Sequence, residues 1–262
     1  MDSDFAAGYR RLQERHWWFR CRSRVLRTLL GRLPWLPAAT VLEVGPGPGH
    51  DLGAIYPRGV VLAGLEADPA LAEQARAPEG HEVHCGTLDG LPAALLGRSF
   101  DVVAMFDVLE HIEDDRQALR RCAELLNPGG LVLVTVPAYD WMWGRQDEVN
   151  RHFRRYTCGR LRRLLAEAGF APVHATYFNT ILLPPIALFR LAAALSRRLG
   201  LSSRAPAAGS SDFDVSLGPL DGVLARLFGL EAVLLRRLSF PCGVSVFAAA
   251  RLVDRQAQGS MR

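Results

Sequence analysis

From Val41 onward the chain alternates short, β-rich apolar runs with stretches whose apolar residues recur at helical spacing. This is the pattern of βαβ units that build a mostly parallel sheet. The runs predict strands over Val41 to Val44, Val60 to Leu65, Glu82 to Cys85, Phe100 to Phe106, Leu131 to Val136, Ala171 to Phe178 and Val244 to Arg251. Helices are predicted near Asp51 to Tyr56, Pro69 to Arg76, Asp114 to Leu126 and Thr157 to Ala168. The third helix runs into Asn127-Pro128-Gly129-Gly130, a stop signal ahead of a buried-type strand.

Two segments interrupt or flank this alternation. Phe5 to Leu30 reads as one or two helices carrying the aromatic cluster His16-Trp17-Trp18-Phe19, closed off by Pro34 and Pro37. Between the last two strands lies an insertion with helical runs at Ile186 to Leu199 and Leu220 to Leu238, joined by a linker of Ser, Ala, Pro and Gly. The expected division is therefore a helical cap over 1–38, an α/β domain over 39–180, a helical insertion over 181–242, and a last strand and tail over 243–262. The longest weakly charged stretch, Tyr177 to Phe189, contains Pro184 and Pro185. It falls short of the roughly 20 apolar residues that a bilayer span requires.

Composition adds little to this picture. The 262 residues suit one complete α/β domain with some additional structure, and 49% hydrophobic with 22% charged residues is a globular balance. The net charge of +4 comes from 31 basic residues that are all Arg. With Ala, Gly, Leu and Pro also frequent, this points to GC-rich coding rather than to a nucleic-acid footprint. Cys21, Cys85, Cys122, Cys158 and Cys242 are scattered and form no C-x-x-C pair, and Met1 to Ala7 carries two Asp and no apolar core. A reduced, cytoplasmic protein is expected, with the inner face of the membrane left open as a peripheral location.

The chemistry concentrates at Val41-Leu42-Glu43-Val44-Gly45-Pro46-Gly47-Pro48-Gly49-His50, a strand running into a glycine-rich turn. Alternate glycines let backbone approach a ligand without Cβ clashes. The spacing after Gly49 is not that of a dinucleotide fingerprint, and no Lys-Ser or Lys-Thr follows to make a P-loop. Glu43 would repel a pyrophosphate but pair with a sulfonium or ammonium group. About 20 residues beyond the turn, Glu66 ends the second strand, where a carboxylate can accept both hydroxyls of a ribose.

Together, Glu43-Val-Gly-Pro-Gly-Pro-Gly49, Glu66, the run from Phe100 through Asp107 and Glu110-His111-Ile112, and Leu126-Asn-Pro-Gly-Gly130 resemble the successive motifs of class I S-adenosylmethionine-dependent methyltransferases. The resemblance covers about Val41 to Val136. His16-Trp-Trp-Phe-Arg20 and His152-Phe-Arg-Arg-Tyr-Thr157 resemble the flanks of a bacterial subgroup of small methyltransferases (type 11/12-like), often encoded beside glycan or natural-product genes. The resemblance implies a Rossmann-like α/β fold: a seven-stranded, mostly parallel sheet with helices on both faces, an N-terminal helical cap and a helical insertion before the last strand.

It also implies S-adenosyl-L-methionine as cofactor. Glu43, Gly45, Gly47 and Gly49 would meet its methionine part, Glu66 with Ala67 its ribose, and Thr87 or Leu88 its adenine, with Asp107 at the matching strand end. Read from the residues alone, Trp17 and Trp18 line a site or staple the N-terminal helices onto the sheet; Trp18 and Arg20 are taken as a lid over the cofactor, with Arg20 or Arg24 pairing its carboxylate. Two departures stand out: Pro46 and Pro48 replace the more usual Cys and Thr or Ser of the loop, and Thr87 stands where many relatives have Asp.

The expected reaction is O-methylation of a small-molecule, glycan or lipid-linked acceptor, with His152 or His111 as base. Asp147, Arg154, Arg155 and Tyr156 beside His152 read as an acceptor pocket or as a solvated loop, and Trp141 and Trp143 as site lining or as packing. No nucleic acid is expected as partner, while peripheral membrane contact through the insertion helices and a homodimer stay open. Asp107-x-x-Glu110-His111 with His152 also resembles the metal cluster of some RNA and quinone-precursor methyltransferases, although the first acid there is usually Glu. No metal is assigned on this spacing. The alternatives are a non-catalytic S-adenosylmethionine-binding regulatory protein and a metal-dependent methyltransferase of the quinone-precursor type.

Overall fold

The structure is a computed structural model that describes residues 17–36, 38–49, 51–76, 82–198 and 219–253. Seven strands form one sheet: β1 (Thr40–Val44), β2 (Val61–Glu66), β3 (Glu82–Cys85), β4 (Phe100–Phe106), β5 (Leu126–Pro137), β6 (Phe170–Phe178) and β7 (Ser245–Leu252). Their spatial order is β3-β2-β1-β4-β5-β7-β6. All neighbours from β3 to β5 pair in parallel, and β7 runs antiparallel between β5 and β6. Two antiparallel pairings in succession leave β6 running the same way as β1 to β5. Six strands therefore end on one edge of the sheet.

Among the described residues, seven α-helices accompany the sheet: α1 (Trp17–Leu30), α2 (Pro69–Arg76), α3 (Asp115–Glu124), α4 (Arg145–Val149), α5 (Cys158–Glu167), α6 (Leu183–Arg198) and α7 (Pro219–Leu234). Successive strand residues serve opposite faces, as the pleat requires. Leu42, Val103 and Val132 join a core with Leu119 and Cys122 of α3 and Leu161 and Leu165 of α5. Their neighbours Val41, Val102 and Leu133 join a second core with Val25, Leu26 and Leu29 of α1 and Phe228 and Ala232 of α7. Strands covered on both sides need apolar residues on both faces, which is why they read as continuous rather than alternating runs.

The caps follow from sequence. Asp114 accepts the Gln117 amide at 2.8 Å to start α3, and Thr157 accepts that of Arg160 to start α5. One expected helix is absent: Asp51 to Tyr56 forms turns. Gly53 there adopts φ +84° and Pro57 follows, while the Asp51 carboxylate is drawn away by Arg22 and Ser23. Strand β5 also begins earlier than its apolar run, because Leu126 pairs with Phe100 and Gly129, at φ +74°, turns within the strand.

The two insertion helices are present, and α7 is bound to the rest of the chain. Its Glu231 is fully buried and accepts the Thr180 and Ile181 amides, while Arg32 donates to the Leu235 and Leu238 carbonyls just beyond it. No helix among the described residues is long and apolar enough to cross a membrane. Residues 5–16 of the expected helical stretch Phe5 to Leu30, and residues 200–218 of the linker, lie outside the described residues.

Candidate functional site

Backbone strain collects along the edge where β1 to β6 end. Asp107, Tyr139 and Asn179, which follow β4, β5 and β6, have φ of +57°, +59° and +61°, and Gly45, Gly47 and Gly49 after β1 have +69°, +59° and +79°. Left-handed backbone at non-glycine residues is costly and gathers where a site requires it. At Gly45 a Cβ would stand 2.6 Å from Val108 Cγ2, and at Gly49 one would stand 2.9 Å from Ala75 Cα, so neither position accepts a side chain.

The glycine turn is tied to the end of β2. Gly45 donates to the Leu65 carbonyl at 2.8 Å, and Gly47 donates to Glu66 Oε2 at 2.8 Å, with Asp68 donating to Glu66 Oε1 at 3.0 Å. Burial raises the Glu66 carboxyl above its ordinary pKa. Glu43 lies deeper, 3% exposed, and accepts the Tyr56 hydroxyl at 2.6 Å. Burial pushes its carboxyl up to about 7, against the hydrogen bond from Tyr56.

Arg22 of α1 reaches the same edge. It donates to Asp107 Oδ2 through Nε at 2.9 Å and through a terminal nitrogen at 2.7 Å, and to Asp51 Oδ2 at 2.7 Å. Asp107 Oδ1 accepts from Thr135 at 3.0 Å. Farther round, Ala67 is exposed at the end of β2, Leu88 is buried, and exposed Thr87 caps its own turn by accepting the Gly90 amide.

A second group begins one short 3-10 turn beyond Asp107. Glu110 is 1% exposed, and its Oε2 has no hydrogen-bond partner. The rings of His111 and His152 meet edge to face, 4.6 Å apart. His152 Nδ1 lies 2.9 Å from Asp147 Oδ1, and Arg155 clamps both oxygens of the same carboxylate at 2.8 and 3.0 Å. Burial alone would raise Asp147, but the hydrogen bonds from His152 and Arg155 outweigh it and hold the carboxyl at about 2. Burial, then the Asp107 charge, raises Glu110 well above the carboxylate range. His111 stands at the exposed rim, and desolvation of its ring, then the neighbouring His152, lowers its pKa.

Residues 15–175 match the family model of the methyltransferase domain. The chain belongs to this family. Over 164 residues it is 36% identical to a probable S-adenosylmethionine-dependent methyltransferase of Mycolicibacterium smegmatis, a match that covers 61% of each chain. The chain thus spans about three fifths of the length of that relative. A shorter match of 105 residues, at 32% identity, covers 38% of this chain and 44% of a ubiquinone biosynthesis O-methyltransferase of Xanthomonas campestris. Among solved structures, a chain from the Haloferax volcanii complex between the Trm112 methyltransferase activator and a methyltransferase superposes with TM-score 0.61. That alignment covers 96% of this chain and 97% of the other at 19% identity, and it shows a shared fold.

On this methyltransferase domain the structure gathers Glu43, Gly45, Gly47, Gly49, Glu66 and Asp107 at one edge, and brings His111 to His152. It separates others. Arg20 is exposed on α1, and Trp18 packs against the α1–α7 core and the edge of Phe19. The α1 arginine aimed at the strand ends is Arg22, a charge placed on the buried stripe with Val25 and Leu29, and that misfit was the available signal. Asp147, Arg155 and Tyr156 do not line an open pocket: all three are buried, Asp147 holds His152 from behind, and Arg155 holds Asp147. Trp141 and Trp143 are 55% and 36% exposed, with Trp141 stacked on Tyr139. A cleft of about 270 Å³ lined by Trp35, Gly129 and Arg251 opens at the opposite edge and contains none of these residues.

Proposed function

We propose that this chain is an S-adenosylmethionine-dependent methyltransferase acting on an oxygen of a small-molecule, glycan or lipid-linked acceptor. The observation that carries this reading is the hydrogen bond from Gly47 to Glu66. It sets the acidic end of β2 against the glycine turn after β1, in a chain that belongs to the methyltransferase-domain family. The residues present suit the cofactor. Glu66 offers carboxylate lone pairs for a diol, and the turn offers close backbone approach, while Glu43 and Asp107 offer negative charge to a cationic ligand.

When bound, the cofactor supplies a methyl group made electrophilic by its sulfonium. The chain's own part is positioning. Glu66 orients the ribose, the backbone at Gly45, Gly47 and Gly49 admits the methionine part, and Leu88 provides an apolar wall for the base. Arg22 is the cation within reach of a ligand carboxylate, replacing Arg20 in that role. Holding donor and acceptor in line accounts for most of the rate. The acceptor proton leaves at the pair His111 and His152, whose geometry Asp147 maintains. The match to an enzyme named as an O-methyltransferase supports oxygen as the acceptor atom.

Calorimetric titration with S-adenosylmethionine, S-adenosylhomocysteine and NAD tests this reading. Micromolar binding of the first two and none of NAD is expected. Glu66→Ala should weaken that binding at least tenfold, through lost charge-assisted hydrogen bonds of about 1.5–3 kcal/mol each. Binding of NAD alone, or of none of the three, overturns it.

A further inference from the structure

We propose that the exposed faces of α6 and α7, bordered by arginines of α1, form a docking surface for an anionic phospholipid membrane. The proposal goes beyond methyl transfer and does not depend on it. Along α7 and the turn that continues it, Leu227, Leu230, Val233, Leu234 and Leu238 recur at helical spacing and are each between 38% and 54% exposed. Phe228, Glu231, Ala232 and Leu235 occupy the opposite face and are buried. One apolar stripe is enough to hold a helix to a core, and α7 has a second that the fold does not use. On α6, Leu188 and Leu191 stand one turn apart and are 70% and 62% exposed. Contiguous exposed aliphatic surface of this kind marks a binding face rather than ordinary surface scatter.

Charge selects the occupant. Among the described side chains of α7 the one acid is Glu231, which is turned inward to the Thr180 and Ile181 amides. Arg226, Arg236 and Arg237 are exposed beside the apolar stripe, and the α6 sequence contains no acidic residue. The positive border continues onto α1, where Arg20, Arg24 and Arg27 are exposed at positions that share one helix face. The Arg24 guanidinium lies against α7, 3.1 Å from where a Cβ of Gly229 would stand. Leucines rimmed by arginines are the composition of a helix lying in the membrane interface. A second copy of this chain fits worse, because a two-fold axis sets the patch against itself with arginine facing arginine. Nucleic acid would match the arginines but leave the aliphatic stripe against phosphates.

No helix among the described residues is long and apolar enough to cross a bilayer, so the contact is lateral. The leucines enter the boundary between headgroups and acyl chains while the arginines keep their guanidinium groups among lipid phosphates. Apolar burial and charge act together, which makes the attachment reversible and sensitive to salt. The surface is also fixed relative to the strand ends. Glu231 of α7 holds the connection that follows Asn179, and α6 starts just beyond that connection.

The test is co-sedimentation of the full chain with vesicles of phosphatidylcholine alone and of phosphatidylcholine mixed in equal parts with phosphatidylglycerol, with light scattering of the free chain alongside. Partitioning onto the anionic vesicles is expected, with little onto the neutral ones and a marked loss as salt is raised. Arg226→Gln combined with Arg237→Gln should weaken it about fivefold per charge removed. Leu230→Asn combined with Leu234→Asn should weaken it at least tenfold. All four side chains are exposed, so thermal melts of both variants should match the wild type. Absence of partitioning onto anionic vesicles overturns the proposal, as does partitioning unchanged in the leucine variant. A dimer that the leucine variant splits, without vesicle binding, assigns the face to a second copy and overturns it too.

Discussion

At Glu43 a carboxylate is buried at the end of β1 with one hydroxyl donor, Tyr56, and with Asp51 and Arg22 near enough to act on it through their charges. Its pKa of about 7, raised from the ordinary 4.5, sets a sign. A raised carboxyl contributes stability that is complete below 4.5 and disappears as pH rises through about 7. Glu43→Gln should therefore stabilise the unliganded chain at pH 8 by up to about 3 kcal/mol and change it little at pH 4, as read by denaturant melts. A cationic ligand group against Glu43 reverses the preference. Affinity for S-adenosylmethionine should then rise about tenfold from pH 6 to pH 8 in the wild type and stay flat in Glu43→Gln. A flat wild-type profile would remove Glu43 from the ligand's electrostatic surroundings.

Among the elements, α1 is the one whose rotation matters most. Its phase buries Val25, Leu26, Leu29 and Leu30 and carries Arg22 inward to Asp51 and Asp107 while leaving Arg20 outside. Removing Arg22 strands two partly buried carboxylates. Arg22→Gln should lower stability by about 2 kcal/mol, below the 3–5 of a fully buried pair because Asp107 retains solvent contact. It should also weaken S-adenosylhomocysteine binding at least tenfold, whereas Arg20→Gln should do neither. The reverse result in paired melts and titrations would show that α1 presents its other face to the site.

For the whole molecule, the acid limit of stability has an identifiable contributor. His174 in β6 packs beside Phe247, its Nε2 buried and unpartnered. Burial, then the charges of Arg32 and Arg162, lowers its pKa to about 4 from 6.5. A depressed histidine contributes stability that is present above 6.5 and lost as pH falls toward 4. His174→Gln should flatten the decline of Tm between those limits, and an unchanged slope would assign the acid limb elsewhere. Salt bridges such as Arg121 with Glu124 are exposed and contribute little to this profile.

The order and type of strands, the glycine turn, and the acidic ends of β2 and β4 were legible because each is local. Apolar runs and turn residues act within a few positions of themselves, so the strands and the turn at Gly45 could be read in place. Even so, Asp51 to Tyr56 was misread as a helix, because what holds Asp51 is an arginine 29 positions away. The same limit applies at the site. Helical phase made Arg22 rather than Arg20 the inward arginine, and a loop closed by the buried Asp147–Arg155 pair brought His152 against His111 across 41 residues of chain. Sequence determined which chemistries were available and on which strand ends. Only packing decided which side chains face one another, since long-range pairing depends on the phase and register of elements that no local pattern records.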